Sequence, residues 1–573
     1  CIGLTSVKLP AGVDVIPDYA FAECSRLTEI EIPEAVWYIG ECAFDSCDKL
    51  TGVKLPSKLT TIKDGAFYGC SRLTSMTIPA GVTDIDSGAW QACTAMTSLS
   101  VAEGNTSFSV KDNVLFNKDQ STLIYCPIGK SGAYQIPQGV TTISTGAFLD
   151  CSNLTGITLP EGLKIIGRSA FACCGGLTEM TIPVGVTDID EGAFAGCSSL
   201  MRISVDEQNP NYSTVDGVLF NKDQTRILSC PGAKTGVYEL PGTVNYIPDF
   251  AFYGCGKLTG IQIPDEVTHL CYNAFFGCGS LTELKLPSSL KYMSTQVFGE
   301  CSSLTALYID EQNQNYSTED GVLFNKAKTQ LLFCPAGKVG EYIIPSEVSK
   351  IQDGAFAGCK KLTSVTLPSG IEGINYDTFK GCSGLTKMTI PESVKYIGWH
   401  AFADCSSLTD IELSVGLIGS EAFAGCSSLT RIKIPAGITC IASGAFAGCS
   451  SLTDIIVDEQ NPNYSSVDGV LFDKTGTKLM LCPAGKKGDY QIPDGVKNIK
   501  SGAFAGCDGL TKVTIPSGVT GIGGSVFEGC TNLEIECDEN SYAYSYIKKN
   551  NLPTKKTFTI TFSAEGGTGL SQS

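Results

Sequence analysis

The sequence predicts a solenoid in which short repeats stack and contribute their strands to a long parallel β-sheet. The first observation is that eighteen cysteines occur in the same local sequence pattern. Most of them are 23 residues apart, with four gaps of 58 residues and one of 21. The second is an apolar alternation that ends at a proline in nearly every repeat. A gap of 58 residues is one repeat plus an insertion of 35. The chain is therefore predicted to be one array, although 573 residues would otherwise indicate several globular domains.

Each repeat has the pattern C-x-x-L-T-x-h-x-h-P-x-x-V-x-x-I-x-x-x-A-F-x-x, where h is apolar, and residues 24–46 are one example. The alternation before Pro33 predicts a strand with one buried face, and the proline ends it because proline donates no hydrogen bond. The V-x-x-I segment returns along the other side, and Ala43-Phe44 begins the corner that leads to the next strand. One unit of this size cannot bury its apolar face alone, so it must stack on its neighbours.

The L-x-x-h-x-h segment at this period resembles a leucine-rich repeat. The proline after the strand, the A-F-x-x-C corner and the missing asparagine ladder resemble the BspA-like subfamily of bacterial surface proteins. The resemblance covers residues 1–553. It implies a leucine-rich-repeat solenoid, a curved right-handed stack of about 22 rungs with a long parallel β-sheet and short strands and turns on its outer side. It also implies adhesion or other surface binding, by analogy.

The four insertions are themselves repeats and lie near residues 102–136, 206–240, 310–344 and 458–492. In the second, the apolar runs 218–220 and 226–228 flank a polar turn, which predicts a β-hairpin. We expect this hairpin to protrude between two strands of the sheet. Each long unit then contributes two sheet strands, which brings the total to about 22.

The C-terminal end departs from the repeat. Residues 531–553 predict a polar, partly helical cap that seals the last rung. Residues 554–573 are predicted to be a linker and the start of a further small β module, because residues 558–569 resemble the opening of a Listeria–Bacteroides repeat. We expect the array to be one segment of a longer exported protein.

Composition excludes some functions. Asp and Glu number 59 against 41 Lys and Arg, a formal net charge of −18, which disfavours nucleic acid as a partner. The chain has no apolar run of about 18 residues, so no membrane insertion is predicted for this segment. The chain has only two histidines, His269 and His400, which excludes His-rich metal sites and multi-histidine catalysis. We predict no catalytic residues, no metal and no cofactor.

The cysteines are predicted to be structural, filling a small inward corner on every rung as a column of unbridged thiols. A zinc site would need pairs such as C-x-x-C, which do not occur. Disulfide bonds remain an alternative, since neighbouring rungs bring such residues within reach. The column comprises Cys24, Cys47, Cys70, Cys151, Cys197, Cys255, Cys278, Cys301, Cys359, Cys382, Cys405, Cys426, Cys449 and Cys507.

Four tyrosines are candidate binding residues. Tyr212, Tyr316 and Tyr464 lie at the bases of insertions, where they either present an aromatic contact or, the interpretation we favour, pack the loop onto the solenoid. Tyr308 is the lone aromatic residue at an outward strand position. Other outward positions alternate in charge from rung to rung, which favours cross-strand pairing over a charged binding face.

The predicted function is a non-enzymatic cell-surface or secreted adhesion protein that contacts host or other surface macromolecules, proteins or glycans, through an extended repeat surface. The alternative is a structural spacer that displays other modules of a longer surface protein. The predicted location is extracellular or on a bacterial cell surface, with the export signal outside this chain.

Overall fold

The computed structural model describes residues 4–550 and 552, and the backbone of residues 554–557. The predicted β module beyond residue 557 lies outside the described residues. The chain divides into two compact units, Cys1–Val339 and Gly340–Ser573. Each unit is a β-solenoid, and the prediction of a repeat stack is confirmed.

The apolar alternation of each repeat forms a first row of parallel strands, 22 in the described part of the chain. In the first unit they are Ser6–Lys8, Glu29–Glu31, Ser75–Ile78, Ser98–Val101, Gly132–Gln135, Leu154–Thr158, Glu179–Ile182, Arg202–Val205, Gly236–Glu239, Leu258–Gln262, Glu283–Leu286 and Ala306–Ile309. In the second unit they are Gly340–Ile343, Leu362–Thr366, Lys387–Thr389, Asp410–Glu412, Arg431–Ile434, Asp454–Val457, Gly488–Gln491, Leu510–Ile515, Glu534–Asp538 and Thr554–Thr557.

This row is more segmented than one long sheet. In most places two consecutive strands pair, and the strand ladder then breaks. The strands are short because a proline ends most of them. The threonine of the L-T pair extends the bonding between turns: the Thr386 N–H donates to the Thr363 carbonyl at 3.2 Å, and the Thr409 N–H donates to the Thr386 carbonyl at 2.9 Å.

The V-x-x-I segments form a second row of two-residue parallel strands, as predicted for the outer side. In the first unit they are Val15–Ile16, Tyr38–Ile39, Thr61–Ile62, Asp84–Ile85, Thr142–Ile143, Ile165–Ile166, Asp188–Ile189, Tyr246–Ile247, His269–Leu270 and Tyr292–Met293. In the second unit they are Lys350–Ile351, Gly373–Ile374, Tyr396–Ile397, Leu417–Ile418, Cys440–Ile441, Asn498–Ile499 and Gly521–Ile522.

Each insertion is a three-stranded antiparallel meander and not a single hairpin. The strands are Phe108–Lys111, Val114–Asn117 and Thr122–Tyr125; Tyr212–Val215, Val218–Asn221 and Ile227–Ser229; Tyr316–Glu319, Val322–Asn325 and Gln330–Phe333; and Tyr464–Val467, Val470–Asp473 and Lys478–Leu481. The additional first strand is joined to the second by a turn whose central residues, such as Asp216 and Gly217, both have positive φ. Asp-Gly is a typical sequence for such a hairpin turn, so the sequence carried a signal for this strand.

The meander is also part of the stack, so the expectation of a protruding hairpin is wrong. Val218, Leu219 and Phe220 of the middle strand are fully buried. Leu219 packs into the core of the preceding turns, whereas Val218 and Phe220 pack into the core of the following turns. A strand that is apolar on both faces needs cover on both sides, and the stack provides it.

Two columns of side chains run through the corners. Consecutive phenylalanine rings stack with centroids 5.2 Å apart for Phe44 and Phe67. In most turns the corner cysteine donates its thiol to the phenylalanine carbonyl one turn earlier, at 3.0 Å from Cys93 to Phe67 and 3.0 Å from Cys174 to Phe148. After an insertion the acceptor is a cysteine carbonyl, as for Cys151 and Cys126. The cysteines that the structure describes form no disulfide bonds.

One helix, Tyr542–Lys549, lies between the last two first-row strands that the structure describes. Ser541 caps its N-terminus by accepting a hydrogen bond from the Tyr544 N–H. Ala543 and Ile547 are buried and close the end of the second unit's core.

Candidate binding surface

The tyrosines of the insertions pack against the neighbouring turn. Tyr212 and Tyr464 are only 7% and 8% exposed. The Tyr212 hydroxyl donates to the Thr187 carbonyl at 3.3 Å, and the Tyr464 hydroxyl accepts from the Ile441 N–H at 3.0 Å. Tyr316 is half-buried. Tyr212 and Tyr464 therefore pack the loop onto the solenoid, which is the interpretation favoured from the sequence, and as buried rings they present no aromatic contact.

Tyr308 lies on the first-row strand Ala306–Ile309, opposite Lys285, and is half exposed. Its outward position agrees with the sequence pattern. One ring offers a small contact area, so a binding role for Tyr308 stays a prediction.

The charges of the first row pair opposite signs across neighbouring strands. Lys387 lies opposite Asp410, and Arg202 forms an ion pair with Glu179 at 2.8 Å. Such exposed pairs contribute at most about 1 kcal/mol each. They help to fix the register of the strands.

A cluster of aromatic side chains lies on the surface of the first unit, at two consecutive corners and the second-row strands beside them. We call it the aromatic patch, and it consists of Tyr246, Phe250, Tyr253, His269, Tyr272, Phe276 and Tyr292. One column of it follows the second row, where the ring centroids of Tyr246 and His269 are 5.7 Å apart and those of His269 and Tyr292 5.8 Å apart. Tyr292 is half exposed.

The other column of the aromatic patch follows the corners. Phe250 contacts Tyr272 edge to face at 5.9 Å and Tyr253 at 5.7 Å, and Tyr253 stacks on Phe276 at 5.1 Å. These are the separations at which aromatic pairs attract. The rings therefore hold one another in place and offer a preorganised surface, of which Tyr272 is 40% exposed.

Cys271 joins the two columns. Its thiol donates to the Tyr246 hydroxyl at 3.0 Å, and it precedes Tyr272 in the chain. The hydrogen bond with Cys271 and partial burial raise the pKa of Tyr246 to about 12. The Tyr246 hydroxyl therefore stays protonated at neutral pH and acts as a polar group among the rings.

Two arginines border the aromatic patch. The Arg226 guanidinium lies 5.4 Å from the centre of the Tyr246 ring and 2.8 Å from the Glu191 carboxylate. Arg168 lies 3.8 Å from Asp249. Each cation has an anion beside it, so the border offers hydrogen-bonding groups of both signs.

The aromatic patch arises where two corners depart from the repeat. Residues 248–255 read P-D-F-A-F-Y-G-C, whereas residues 500–507 read K-S-G-A-F-A-G-C. The central Ala-Phe pair is buried in both corners, whereas Phe250 and Tyr253, at two of the positions that differ, are partly exposed. The sequence analysis missed this cluster because it searched the strand face. Aromatic residues at corner positions that are small in many other turns were the available signal.

The aromatic patch has the composition of a contact surface. Tyrosine and arginine are enriched at the centres of binding interfaces, where large rings provide contact area and guanidinium groups provide hydrogen bonds. Within the described residues, no group of three or more His, Cys, Asp or Glu side chains is placed to hold a metal ion. No helix in the described part of the chain is long and apolar enough to cross a membrane.

Solved structures with similar folds include several bacterial proteins. A leucine-rich repeat protein from Eubacterium ventriosum is 20% identical with a TM-score of 0.41, and the match covers 74% of this chain and 93% of that one. A leucine-rich cell surface protein from Faecalibacterium prausnitzii is 24% identical with a TM-score of 0.34, covering 77% and 96%. The pneumococcal vaccine antigen PcpA is 18% identical with a TM-score of 0.30, covering 79% and 88%. No curated protein matches the chain significantly.

A family model, the BspA type leucine-rich repeat region, matches in six copies. The matched residues are 1–121, 130–223, 229–329, 329–453, 409–473 and 487–563. These ranges take in nearly all of the turns described above. The chain therefore belongs to the BspA-type leucine-rich repeat family.

Proposed function

We propose that this chain is a non-enzymatic binding or adhesion protein of a bacterial surface or the extracellular space, and that it holds a protein or glycan partner through the aromatic patch. The observation that carries the proposal is the cluster of seven aromatic rings, arranged in two columns of contacting rings, of which Tyr272 and Tyr292 are exposed. The family resemblance noted for the sequence points to the same class of function.

The repeated features of the chain all have a structural role. Phenylalanine rings, thiols and paired charges recur along the stack and bond one turn to the next. A specific partner requires a surface that differs from the rest of the array. The aromatic patch gathers more rings than the second unit's group of Tyr376, Tyr396, Trp399 and His400, and its rings are already in contact within each column, which lowers the entropic cost of binding.

The paired charges of the first row favour a second candidate function, a spacer that displays other modules. A face of alternating charges is suited to holding strands in register and has no need of a partner. In that case the aromatic patch would only stabilise the packing of the corners and would bind no partner.

Binding measurements on two double variants test the proposal. Tyr272→Ala with Tyr292→Ala removes two exposed rings of the aromatic patch, and Tyr376→Ala with Tyr396→Ala removes two comparably exposed rings of the second unit. We would titrate each protein against immobilised host matrix proteins and mucin glycans at physiological salt. The patch variant is expected to bind at least about tenfold more weakly than the unmodified chain, and the control variant within about twofold.

Equal binding by both variants would contradict the role of the aromatic patch. Absence of binding by the unmodified chain across the panel would contradict the adhesion proposal and favour the spacer. Circular dichroism of each variant shows whether the fold is retained, because these exposed side chains contribute little to stability.

A further inference from the structure

A pocket of about 390 Å³ lies in the second unit beside the fourth insertion. It is lined by the corners 441–448 and 500–506 and by residues 480–484, where the meander rejoins the stack. Its volume lies within the range of small-molecule sites in proteins. It belongs to a different unit from the aromatic patch and is independent of the function proposed above.

The lining of the pocket is mainly apolar. Phe446, Leu452, Leu471, Met480 and Leu481 contribute to it, together with alanines and glycines of the corners. A concave apolar surface of this kind binds the hydrocarbon part of a ligand, because the ligand leaves water on entering it.

The second insertion shows why the pocket is open. There, Phe250 and Tyr253 occupy the corner positions that Gly502 and Ala505 occupy beside the fourth insertion. A Cβ atom added at Gly192 would lie 3.2 Å from the Phe250 ring, so the ring fills the space between the two corners. A Cβ atom added at Gly502 would meet only Ala505, at 4.0 Å.

The backbone at the two places is alike. Phe250 has a φ of 62° and Gly502 a φ of 67°. The pocket therefore results from two small side chains on a shared backbone conformation. The same comparison indicates that larger side chains can be placed there without a change of fold.

One cation lines the pocket. Lys500 is half-buried, and burial and the nearby Lys478 lower its pKa. None of the ion pairs among the described residues involves Lys500. The other charged residue of the lining, Glu528, is exposed at the edge. A half-buried ammonium group beside an apolar cavity complements an anionic group on an apolar ligand.

We propose that this pocket binds a small amphipathic carboxylate, with the hydrocarbon body against the apolar lining and the carboxylate at Lys500. Octanoate is the probe, and octanol, which has the same chain with a neutral head, is its control. Both are titrated by calorimetry into the whole chain.

Two variants locate the ligand. Ala505→Tyr copies the residue that fills the corresponding space at the second insertion, and it is expected to weaken octanoate binding at least about tenfold. Ala357→Tyr places the same ring at the same repeat position of another, exposed corner and is expected to leave binding unchanged. Lys500→Gln is expected to weaken octanoate about tenfold and to leave octanol unchanged.

Three results would overturn the proposal. The first is failure of octanoate to bind the unmodified chain. The second is equal octanoate binding by the Ala505→Tyr and Ala357→Tyr variants. The third is a Lys500→Gln variant that prefers octanoate over octanol as strongly as the unmodified chain does. Thermal unfolding of each variant, followed by circular dichroism, establishes that a loss of binding is not a loss of fold.

Discussion

At the scale of the residue, the recurring cysteine combines small size with a hydrogen-bond donor. Cys93 fills its buried corner and donates to the Phe67 carbonyl, which also accepts from the Cys70 N–H at 3.3 Å. Alanine would fill less of the space and remove one of the two hydrogen bonds to this carbonyl, at a cost of about 1 kcal/mol. The thiol therefore bonds consecutive turns as well as packing them.

Burial of the thiols predicts loss of stability at alkaline pH. It raises the pKa of Cys47, Cys197 and Cys301 from 9.0 to about 12. Their stabilising contribution is complete below pH 9, where both folded and unfolded thiols are protonated. Above pH 9 the unfolded chain loses thiol protons that the folded chain retains. The free energy of unfolding therefore falls by about 1.4 kcal/mol per pH unit for each such thiol, until the pH reaches the pKa of the folded state. Denaturant midpoints measured between about pH 8 and about pH 10 check this.

An independent measurement is the alkylation of cysteines in the folded chain. Cys440 is exposed and is expected to react with iodoacetamide at mildly alkaline pH, whereas Cys47 and Cys197 are expected to be protected. Equal reaction at all three, or a constant denaturant midpoint over this pH range, would contradict the prediction.

The inward position of the cysteines follows from their regular spacing, and the sequence predicted it. Their donor role could not be predicted, since it depends on how far one corner is offset from the next. The same holds for Tyr212, whose burial depends on the preceding turn that covers its ring.

At the scale of the element, each insertion is fastened by one buried asparagine. Asn209 is 0% exposed, and its side-chain amide donates to the carbonyls of Pro183 and Val186 at 2.9 and 3.1 Å. Its side-chain oxygen accepts from the N–H groups of Asn211 and Tyr212 at 2.8 and 3.0 Å. One residue thus satisfies four backbone groups where the meander leaves the preceding turn.

Asn209→Ala is expected to lower the free energy of unfolding by about 3 kcal/mol or more, because it leaves buried backbone groups without partners. The measurement is a guanidinium denaturation curve followed by circular dichroism. Asn153→Ala, at an exposed position, is the matched control and is expected to change stability by less than about 0.5 kcal/mol. Similar losses in both variants would contradict this role of Asn209.

The sequence predicted the second and third strands of each meander from their apolar runs, and it predicted their turn. It did not indicate that the meander is internal. Apolar residues such as Val218 and Phe220 are expected both in a strand on the surface of the stack and in a strand inside it. Only packing on both faces of the strand distinguishes the two cases.

At the scale of the whole molecule, the meanders divide the core into successive segments. In the first unit these segments cover approximately residues 16–125, 114–219 and 218–323, and each boundary lies in a meander. The number of turns was predictable because the period is constant. The division was not, because the repeat pattern is identical on both sides of a boundary.

Hydrogen exchange is expected to show these segments as cooperative blocks. Amides of the regular turns within one segment should exchange with similar protection, and protection should change near residues 114–125 and 218–227. Mass spectrometry of peptic fragments in mild denaturant measures this. Uniform protection from residue 16 to residue 323 would contradict the division.

The bonds between regular turns join residues one period apart, as in the pairing of Tyr396 with Leu417 and of Leu417 with Cys440. The turn that contains Leu417 is two residues shorter than its neighbours, yet its strand keeps its place in the row. A gene that encodes near-identical segments is prone to unequal recombination, which adds or removes whole copies. Because a turn bonds only with the turns beside it, such an event changes the length of the array and leaves every remaining partner in place. The reach of such a protein can therefore evolve in steps of one turn, separately from its binding residues.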